Sequence, residues 1–376
     1  MADDGKRSLY RTTPPFRADQ VGSLLRPDRV KAARLEAAEG RLALDTLRTI
    51  ENEEISRLVR AQKEVGLEAV TDGELRRAYW HFDFLENLVG VESTEGEGIR
   101  FQGAHTGGKG IKVAGKVDFG AHPFLDDFRY LHSVAGEHPA KMTIPSPSML
   151  HFRGQIDRTV YPDLDLYFAD VARAYQKAIH AFYEAGCRYL QLDDTAWAYL
   201  CSDEQRSEMT ARGWNPQDLE SLYAETLRIA LADRPSDMRI TMHICRGNFR
   251  STWIASGGYE PVAETLFQKI PVDGYFLEYD SERAGGFEPL RFVTRPDLEI
   301  VLGLVTTKTG EMEEPEAISR RVEEATRFVP LDQLCLSPQC GFASTQEGNV
   351  LTEAEQWDKL RFVVEMAQAI WGYGKA

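Results

Sequence analysis

Four residues in the C-terminal half of the sequence have side chains that bind transition metals. His243 and Cys245 form a His-x-Cys pair, Glu278 follows 33 residues later, and Cys340 lies a further 62 residues along the chain. Zinc accepts imidazole, thiolate and carboxylate ligands together, and a carboxylate is a ligand that a substrate can displace. Alternate residues of a strand share one face, so a His-x-Cys pair at a strand end directs both side chains to the same side. These four residues predict a zinc site.

The cysteines also allow a simpler explanation. Cysteine is among the residue types most often buried in a core, and a single cysteine in a strand usually packs there. The chain has five cysteines, and an odd number in a long chain without a secretory signal favours reduced thiols over disulfides. Cys187 and Cys335 lie inside apolar strands and are expected to be packing residues, whereas Cys201 receives no role. Spacing alone therefore leaves metal binding and core packing both open.

Short apolar segments that end in polar residues alternate with helical patterns along the whole chain. A predicted strand over 67–71 is followed by Asp-Gly-Glu74, and another over 187–192 is followed by Asp193 and Asp194. Further strands are predicted over 238–242, 274–277, 300–305 and 334–337. Helices are predicted over 219–232, 261–269, 315–328 and 353–371.

Alternating helices and strands indicate a parallel sheet. Five or more such units, with no Gly-x-Gly-x-x-Gly turn, favour an α/β fold of the (β/α)8 TIM barrel type over a doubly wound sheet. Active sites of such barrels lie at the carboxyl ends of the strands, which is where the polar residues fall.

One glycine-rich region, about residues 93–120, interrupts this order. Its centre, Gly107-Gly108-Lys109-Gly110, lacks the spacing and the following Ser or Thr of a phosphate-binding loop. We expect a β-hairpin insertion that covers the mouth of the barrel. The first thirty residues are expected to be partly unstructured, and residues 1–376 to form one barrel domain.

The charge balance excludes some classes of partner. Asp and Glu number 59 against 44 Lys and Arg, a net charge of −15. A general nucleic-acid or anionic-membrane binder needs a basic face, so neither partner is expected. No segment reaches the roughly 18 apolar residues of a membrane span, and the first residues lack the apolar core of a signal peptide. We therefore expect a cytoplasmic protein that acts on small molecules, with the oligomeric state, including a homo-oligomer, left open.

Five motifs, spread from about residue 16 to residue 350, point to a known family. They are Val-Gly-Ser-Leu-Leu-Arg-Pro at 21–27, Thr-Asp-Gly-Glu at 71–74, Gln-Leu-Asp-Asp at 191–194, His-Ile-Cys-Arg-Gly-Asn at 243–248 and Ser-Pro-Gln-Cys-Gly at 337–341. In these motifs the sequence resembles the catalytic barrel of cobalamin-independent methionine synthase, in the superfamily that also holds uroporphyrinogen decarboxylase. Full-length enzymes of that family have two barrels, and this chain resembles the single-barrel branch.

The resemblance implies both a metal site and a substrate site. The implied zinc ligands are His243, Cys245, Glu278 and Cys340. Homocysteine would be held by Ser23, Glu74 and Asp193, with the carboxylates on its ammonium group and backbone near Ser23 on its carboxylate. The implied reaction moves a methyl group from methyl-tetrahydrofolate or a corrinoid protein to the homocysteine thiol. A thiol with a pKa near ~8.5 is mostly protonated at neutral pH, and zinc would stabilise the reactive thiolate.

The sequence departs from the family at two places to which we assign catalytic roles. The family's Asp-Glu-Pro-Ala is here Asp193-Asp194-Thr195-Ala196. The histidine that serves the two-barrel enzymes as proton donor aligns with Lys308. A lysine can donate a proton only if its pKa falls well below its usual ~10.4, and Lys308 could equally bind a substrate carboxylate or sulfonate.

Two alternatives to methionine formation stay open at this point. One is another zinc-dependent thiol alkyltransferase, such as an epoxyalkane:coenzyme M transferase-like enzyme, in which Lys308 or Arg26 would hold the sulfonate. The other is a non-catalytic zinc- or thiol-binding barrel, or a metal-free decarboxylase-like protein.

Overall fold

The protein was analysed as a computed structural model that describes residues 11–96, 98–101, 104–211 and 213–372. The strands are β1 (Val89–Glu95), β2 (Arg100–Phe101), β3 (Ala104–His105), β4 (Lys109–Asp118), β5 (Lys141–Pro145), β6 (Gly154–Ile156), β7 (Tyr189–Asp194), β8 (Arg239–Ile244), β9 (Gly274–Glu278), β10 (Glu299–Val305) and β11 (Leu334–Pro338). Six of them form one parallel sheet in the order β5-β7-β8-β9-β10-β11. Every residue of β5, β7, β9, β10 and β11 is buried, as expected for a parallel sheet that is covered on both faces.

Helices separate the strands of this sheet. They are α1 (Asp28–Ala38), α2 (Leu44–Glu64), α3 (Phe82–Leu85), α4 (Pro123–Ala135), α5 (Ser148–Arg153), α6 (Leu164–Glu184), α7 (Ala196–Leu200), α8 (Asp203–Ala211), α9 (Pro216–Ala230), α10 (Ala263–Lys269), α11 (Pro315–Ala325) and α12 (Glu353–Trp371). The last has the predicted bounds, and a capping box between Thr352 and Glu355 fixes its start. Pro216 begins α9 three residues before the predicted start, because Asn215 caps the helix and proline suits its first turn.

Single bridges complete the ring of the barrel. Ala18 pairs in parallel with Leu336 of β11, and Val70 pairs in parallel with Ala140 beside β5. A parallel bridge between Ser23 and Gly73 joins these two segments to each other. Eight strand positions thus surround the core, and the predicted TIM barrel is confirmed by its likeness to solved barrels that are reported below.

The predicted strand over 67–71 was wrong as a regular strand, since only the Val70 bridge forms there. The backbone N–H of Thr71 donates to the Gln62 side chain at 2.8 Å instead of joining a ladder. The Thr71 hydroxyl donates to the carbonyl of Gly22 at 2.7 Å, so side chains do the work of strand pairing at this position.

The glycine-rich region is a hairpin, as predicted. Strands β1 and β4 pair antiparallel, and β4 also pairs in parallel with the short β6. Near the tip, the ring of Phe101 lies 5.2 Å from the ring of Phe249, which is in the loop after β8. The hairpin therefore reaches the carboxyl ends of the barrel strands.

The N-terminal segment is described from residue 11 onward. Residues 1–10 of the segment predicted to be partly unstructured lie outside the described residues, and residues 11–27 contain bridges but no helix. No helix in the described ranges has the length and apolar content to traverse a lipid bilayer. A cytoplasmic location stays a prediction.

Candidate active site

The four predicted metal ligands meet at the carboxyl ends of three strands of the sheet, β8, β9 and β11. His243 lies in β8 and Cys245 just after it, Glu278 ends β9, and Cys340 follows β11. One potential ligand atom from each residue lies within 4.8 Å of the others, and all four side chains are buried. We call these four residues the metal quartet.

Backbone hydrogen bonds beyond the strand ends hold the two cysteines in place. The N–H of Cys245 donates to the carbonyl of Asp194 at 2.7 Å and extends the pairing of β7 with β8 by one residue. The N–H of Gln339 donates to the carbonyl of Val305 at 2.8 Å and fixes the turn that carries Cys340. The two sulfur atoms consequently lie 3.5 Å apart.

The donor atoms of the quartet fit a thiophilic metal ion. His243 Nδ1 lies 3.2 Å from the carbonyl oxygen of Phe276, while its Nε2 is buried and has no hydrogen-bond partner. A ligand histidine usually has this arrangement, with one ring nitrogen on a carbonyl and the other free for the metal. The thiol of Cys245 and the ring of His243 lower the pKa of Cys340, which favours the thiolate that metals bind.

Glu278 is held more elaborately than the other three. Its Oε1 accepts a hydrogen bond from the backbone N–H of Arg246 at 2.7 Å, and its Oε2 accepts one from Arg283 at 3.0 Å. Burial opposes ionisation of Glu278, yet the nearby charges of Lys308 and Arg283 bring its pKa below the usual value. The ammonium group of Lys308 is itself buried and makes no hydrogen bond.

The predicted substrate residues line the same cavity as three members of the quartet. The cavity has a volume of about 20 Å³, and its walls are Val21, Ser23, Glu74, Trp80, Asp193, His243, Cys245, Cys340, Gly341 and Ser344. The structure therefore brings Ser23, Glu74 and Asp193 to the metal quartet, as the sequence predicted for their positions.

Two buried carboxyl groups give this cavity an acidic wall. Glu74 Oε1 accepts a hydrogen bond from Thr143 at 2.8 Å, whereas its Oε2 makes none and lies 3.5 Å from Arg77. Burial raises the pKa of Glu74, and burial together with the charge of Glu74 raises the pKa of Asp193 to about 7. Gln191 donates to Asp193 at 2.7 Å and orients it. Two buried acids that Arg77 compensates only in part are suited to a cationic group of a ligand.

Ser23 is tied to the loop that follows Cys340. Its hydroxyl accepts a hydrogen bond from the N–H of Ala343 at 3.2 Å, and its carbonyl accepts one from Phe342 at 2.9 Å. A side chain at Gly341 would collide with the Ser23 hydroxyl, so glycine permits this close approach. The serine and the metal loop thus form one wall.

Asp194 is not brought into this cavity. It is fully buried and accepts hydrogen bonds from the hydroxyls of Ser146 and Ser148 and from the N–H of Trp197, the last at 2.9 Å. Because successive residues of a strand point to opposite faces, Asp193 faces the cavity and Asp194 faces away. Of the two residues predicted to be catalytic, Lys308 acts on the quartet through the charge of its side chain near Glu278, whereas Asp194 contacts the quartet through its backbone carbonyl.

The chain matches one known protein family over most of its length. The model of the cobalamin-independent synthase catalytic domain matches residues 16–369. The chain belongs to this family. Cobalamin-independent methionine synthases are methyltransferases, and the resemblance inferred from the five motifs is confirmed.

Relatives of this cobalamin-independent synthase domain include proteins of the same length. Bacillus subtilis YxjG, an uncharacterized protein, is 59% identical over 368 residues that cover 97% of each chain. A methionine synthase of Saccharolobus solfataricus is 22% identical over 93% of each chain. A Listeria monocytogenes chain provisionally named a vitamin-B12-independent methionine synthase has a solved structure that is 51% identical, with a TM-score of 0.80 over 97% of this chain and 100% of that one.

Two residues of this synthase-family site could not be found from the sequence. Trp80 contributes to the cavity wall six residues after Glu74, and Arg283 reaches back to Glu278 from a short 3-10 turn. Spacing provides no signal for either contact. A tryptophan or an arginine shortly after a predicted site residue is the only available hint.

Proposed function

We propose that this enzyme transfers a methyl group to the thiol of homocysteine and forms methionine, with Zn²⁺ as the metal of the quartet. The observation that carries the proposal is the shared cavity, whose walls include members of the metal quartet together with Glu74 and Asp193. A thiol-activating centre and two ammonium-attracting carboxylates therefore face one small space. The name of the archaeal relative agrees with this reaction.

The buried groups around the cavity support a place for each end of homocysteine. In this proposal its ammonium group binds Asp193 and Oε2 of Glu74, which makes no hydrogen bond, and its carboxylate binds at Ser23 and the backbone that follows Cys340. His243, Cys245, Glu278 and Cys340 would hold Zn²⁺, which when bound would favour the nucleophilic thiolate form of the substrate at neutral pH. The protein side chains orient that sulfur and exclude water from it.

A sulfonated thiol fits this cavity less well. The acidic wall of Glu74 and Asp193 would repel the sulfonate of coenzyme M, and the compensating ammonium group of Lys308 lies on the Glu278 side. An epoxyalkane:coenzyme M transferase-like activity is therefore the second candidate, supported by the unpartnered Lys308 alone.

A neighbouring groove supports a folate as the methyl donor. It has a volume of about 560 Å³, and its walls include Phe152, Arg153, Tyr199 and Ile254. The Arg153 guanidinium lies 4.7 Å from the Phe152 ring centre, so an aromatic surface and a positive charge stand together. Methyl-tetrahydrofolate has a planar ring and an anionic tail, which match both features. The backbone N–H of Ile254 donates to the carbonyl of Arg246 at 3.0 Å, so this groove lies beside the loop that follows Cys245.

The transfer forms a sulfur–carbon bond and breaks the bond between the methyl carbon and the donor. With a folate donor, the electron pair of the broken bond stays on nitrogen, which must take up a proton. We assign Lys308 as the proton source, because its ammonium group is buried beside the quartet and makes no hydrogen bond. Asp194 is assigned a positioning role, since it holds Trp197 and the two serines after β5 rather than facing the cavity.

Calorimetry on the zinc-loaded enzyme tests the acceptor. Homocysteine should bind, and Glu74→Gln and Asp193→Asn should each weaken it by about tenfold or more, since each removes one charge–ammonium interaction. Glu92→Gln, at an exposed position on the hairpin, is the matched control and should bind as the unmodified enzyme does.

The same experiment separates the candidates. If the enzyme binds coenzyme M in preference to homocysteine, the proposal of methionine formation fails and the epoxyalkane:coenzyme M transferase-like activity is favoured. Single-turnover assays with methyl-tetrahydrofolate and with a methylcorrinoid protein then identify the donor, and transfer from the corrinoid protein alone would remove the folate assignment.

A further inference from the structure

Glu278 differs from the rest of the metal quartet in having a complete set of protein partners. Arg246 donates its backbone N–H to one carboxylate oxygen at 2.7 Å, and Arg283 donates to the other at 3.0 Å. His243 leaves its Nε2 without a partner, and the sulfur of Cys340 lies against the sulfur of Cys245. Glu278 can therefore be satisfied by protein alone, whereas the other three donors face one another.

Arg283 is built into this position. Arg283 lies in a 3-10 turn, Glu282–Ala284, and its backbone carbonyl accepts a hydrogen bond from the N–H of Gly257 at 2.9 Å. Its guanidinium lies 5.1 Å from the ring centre of Trp253. The same Nη2 that donates to Glu278 also donates to Asp280 at 2.8 Å. One nitrogen is thus shared between a candidate metal ligand and a second carboxylate.

We propose that Arg283 is a positioning residue that competes with the metal for Glu278 and so makes Glu278 the exchangeable member of the quartet. The proposal rests on the zinc site of the proposed function. The bond between the partly buried Arg283 and the buried Glu278 is a charge-assisted interaction, and it would stabilise the carboxylate when an incoming thiol takes its place. Asp280 weakens the hold of Arg283 on Glu278, because it accepts a hydrogen bond from the same guanidinium nitrogen.

Opposite effects on metal and thiol are expected when Arg283 is removed. In Arg283→Ala the Glu278 carboxylate loses its alternative partner, so zinc is retained as tightly as before or more tightly. Homocysteine binding should weaken by about tenfold to a hundredfold, which is the value of one charge-assisted hydrogen bond. Arg283→Lys keeps the charge and should restore part of the loss. Asp280→Asn leaves Arg283 entirely to Glu278, and zinc should then be released more readily.

The measurements are chelator competition for zinc, calorimetry with homocysteine and the visible spectrum of the Co²⁺-substituted enzyme with and without homocysteine. Weaker zinc retention in Arg283→Ala, or homocysteine affinity within about twofold of the unmodified enzyme, overturns the proposal, since a structural role would weaken metal and thiol together. If Arg283→Ala does not fold, the contrast between Arg283→Lys and Asp280→Asn decides the matter by the same two quantities.

Failure of the proposed function would be recognised separately. It would show as a Co²⁺ spectrum that homocysteine does not change in the unmodified enzyme. Chelator competition would still compare zinc retention between the unmodified enzyme and Arg283→Ala, and looser zinc in the variant would overturn the role of Arg283 whatever the acceptor is.

Discussion

The sulfur atoms of Cys245 and Cys340 lie 3.5 Å apart, although 95 positions separate the two residues in the sequence. Two buried thiols at this distance are poorly satisfied by each other, since thiols make only weak hydrogen bonds. The unpartnered Nε2 of His243 lies in the same cluster. This arrangement could hold a metal ion, and it separates these two cysteines from the three elsewhere in the core.

Metal content should therefore depend on Cys340 and not on Cys335. Cys340→Ser replaces a strong zinc ligand by a weak one, and we expect the purified variant to lose most of its zinc by elemental analysis. Cys335→Ser, in a buried strand five residues earlier, is the matched control and should retain one zinc per chain. Equal zinc in both variants would show that the quartet does not hold the metal.

The stability of the metal-free protein should depend on pH through Asp193. Burial raises the pKa of Asp193 to about 7 in the folded chain, against about 3.9 when unfolded. The folded state therefore binds the extra proton, and its stability falls as the pH rises from about 4 to about 7. Asp193→Asn removes this loss, so its gain in the free energy of unfolding should reach up to about 4 kcal/mol at pH 8 and be absent at pH 4.

Chemical denaturation of chelator-treated protein at pH 4, 6 and 8 measures this difference. Its control is Asp203→Asn, at an exposed position in α8, whose effect on stability should not follow this pattern. A constant difference between Asp193→Asn and the unmodified chain at all three pH values would contradict the raised pKa.

Substitution of the adjacent Asp194 should act on stability instead. Asp194 accepts three hydrogen bonds in a fully buried position, and Asp194→Ala leaves Ser146, Ser148 and Trp197 without their acceptor. We expect a loss of about 2–4 kcal/mol in the free energy of unfolding. Homocysteine affinity of the zinc-loaded, folded variant should stay within about threefold of normal, because the carboxylate faces away from the cavity. A stable variant with lost substrate binding would instead place Asp194 at the substrate.

The hairpin insertion should affect ligand binding without affecting the metal. Phe101 near its tip contacts Phe249 in the loop after β8, and Lys109 forms an ion pair with Glu86 at 2.9 Å. Phe101→Ala should weaken methyl-donor or homocysteine binding by a few-fold and leave zinc in place, since it loosens a cover over the barrel mouth. Steady-state kinetics and elemental analysis check both parts, and unchanged kinetics would show that the hairpin is not a lid.

Much of this site could be predicted from the residues at the predicted strand ends, because the carboxyl ends of parallel strands lie at one edge of the sheet. Glu278 and His243 needed no more than that rule. The exceptions have physical causes. Asp194 was paired with Asp193 by sequence, but a strand alternates its faces. The strand expected at 67–71 gave way to side-chain hydrogen bonds from Thr71. Arg283 contacts Glu278 through a loop whose path no spacing rule describes. That residues 1–376 form a single domain stays a prediction.

The small size of the cavity at the metal quartet bears on how fast substrate enters and product leaves. Its volume of about 20 Å³ is less than an amino acid occupies, and we expect the wall to widen when substrate binds. A movement of Trp80 or its neighbours would admit substrate, and the same movement would recur when product leaves. Turnover would then be limited by how often this wall opens, and we expect substitutions that loosen the wall to raise the rate of association even where they lower affinity.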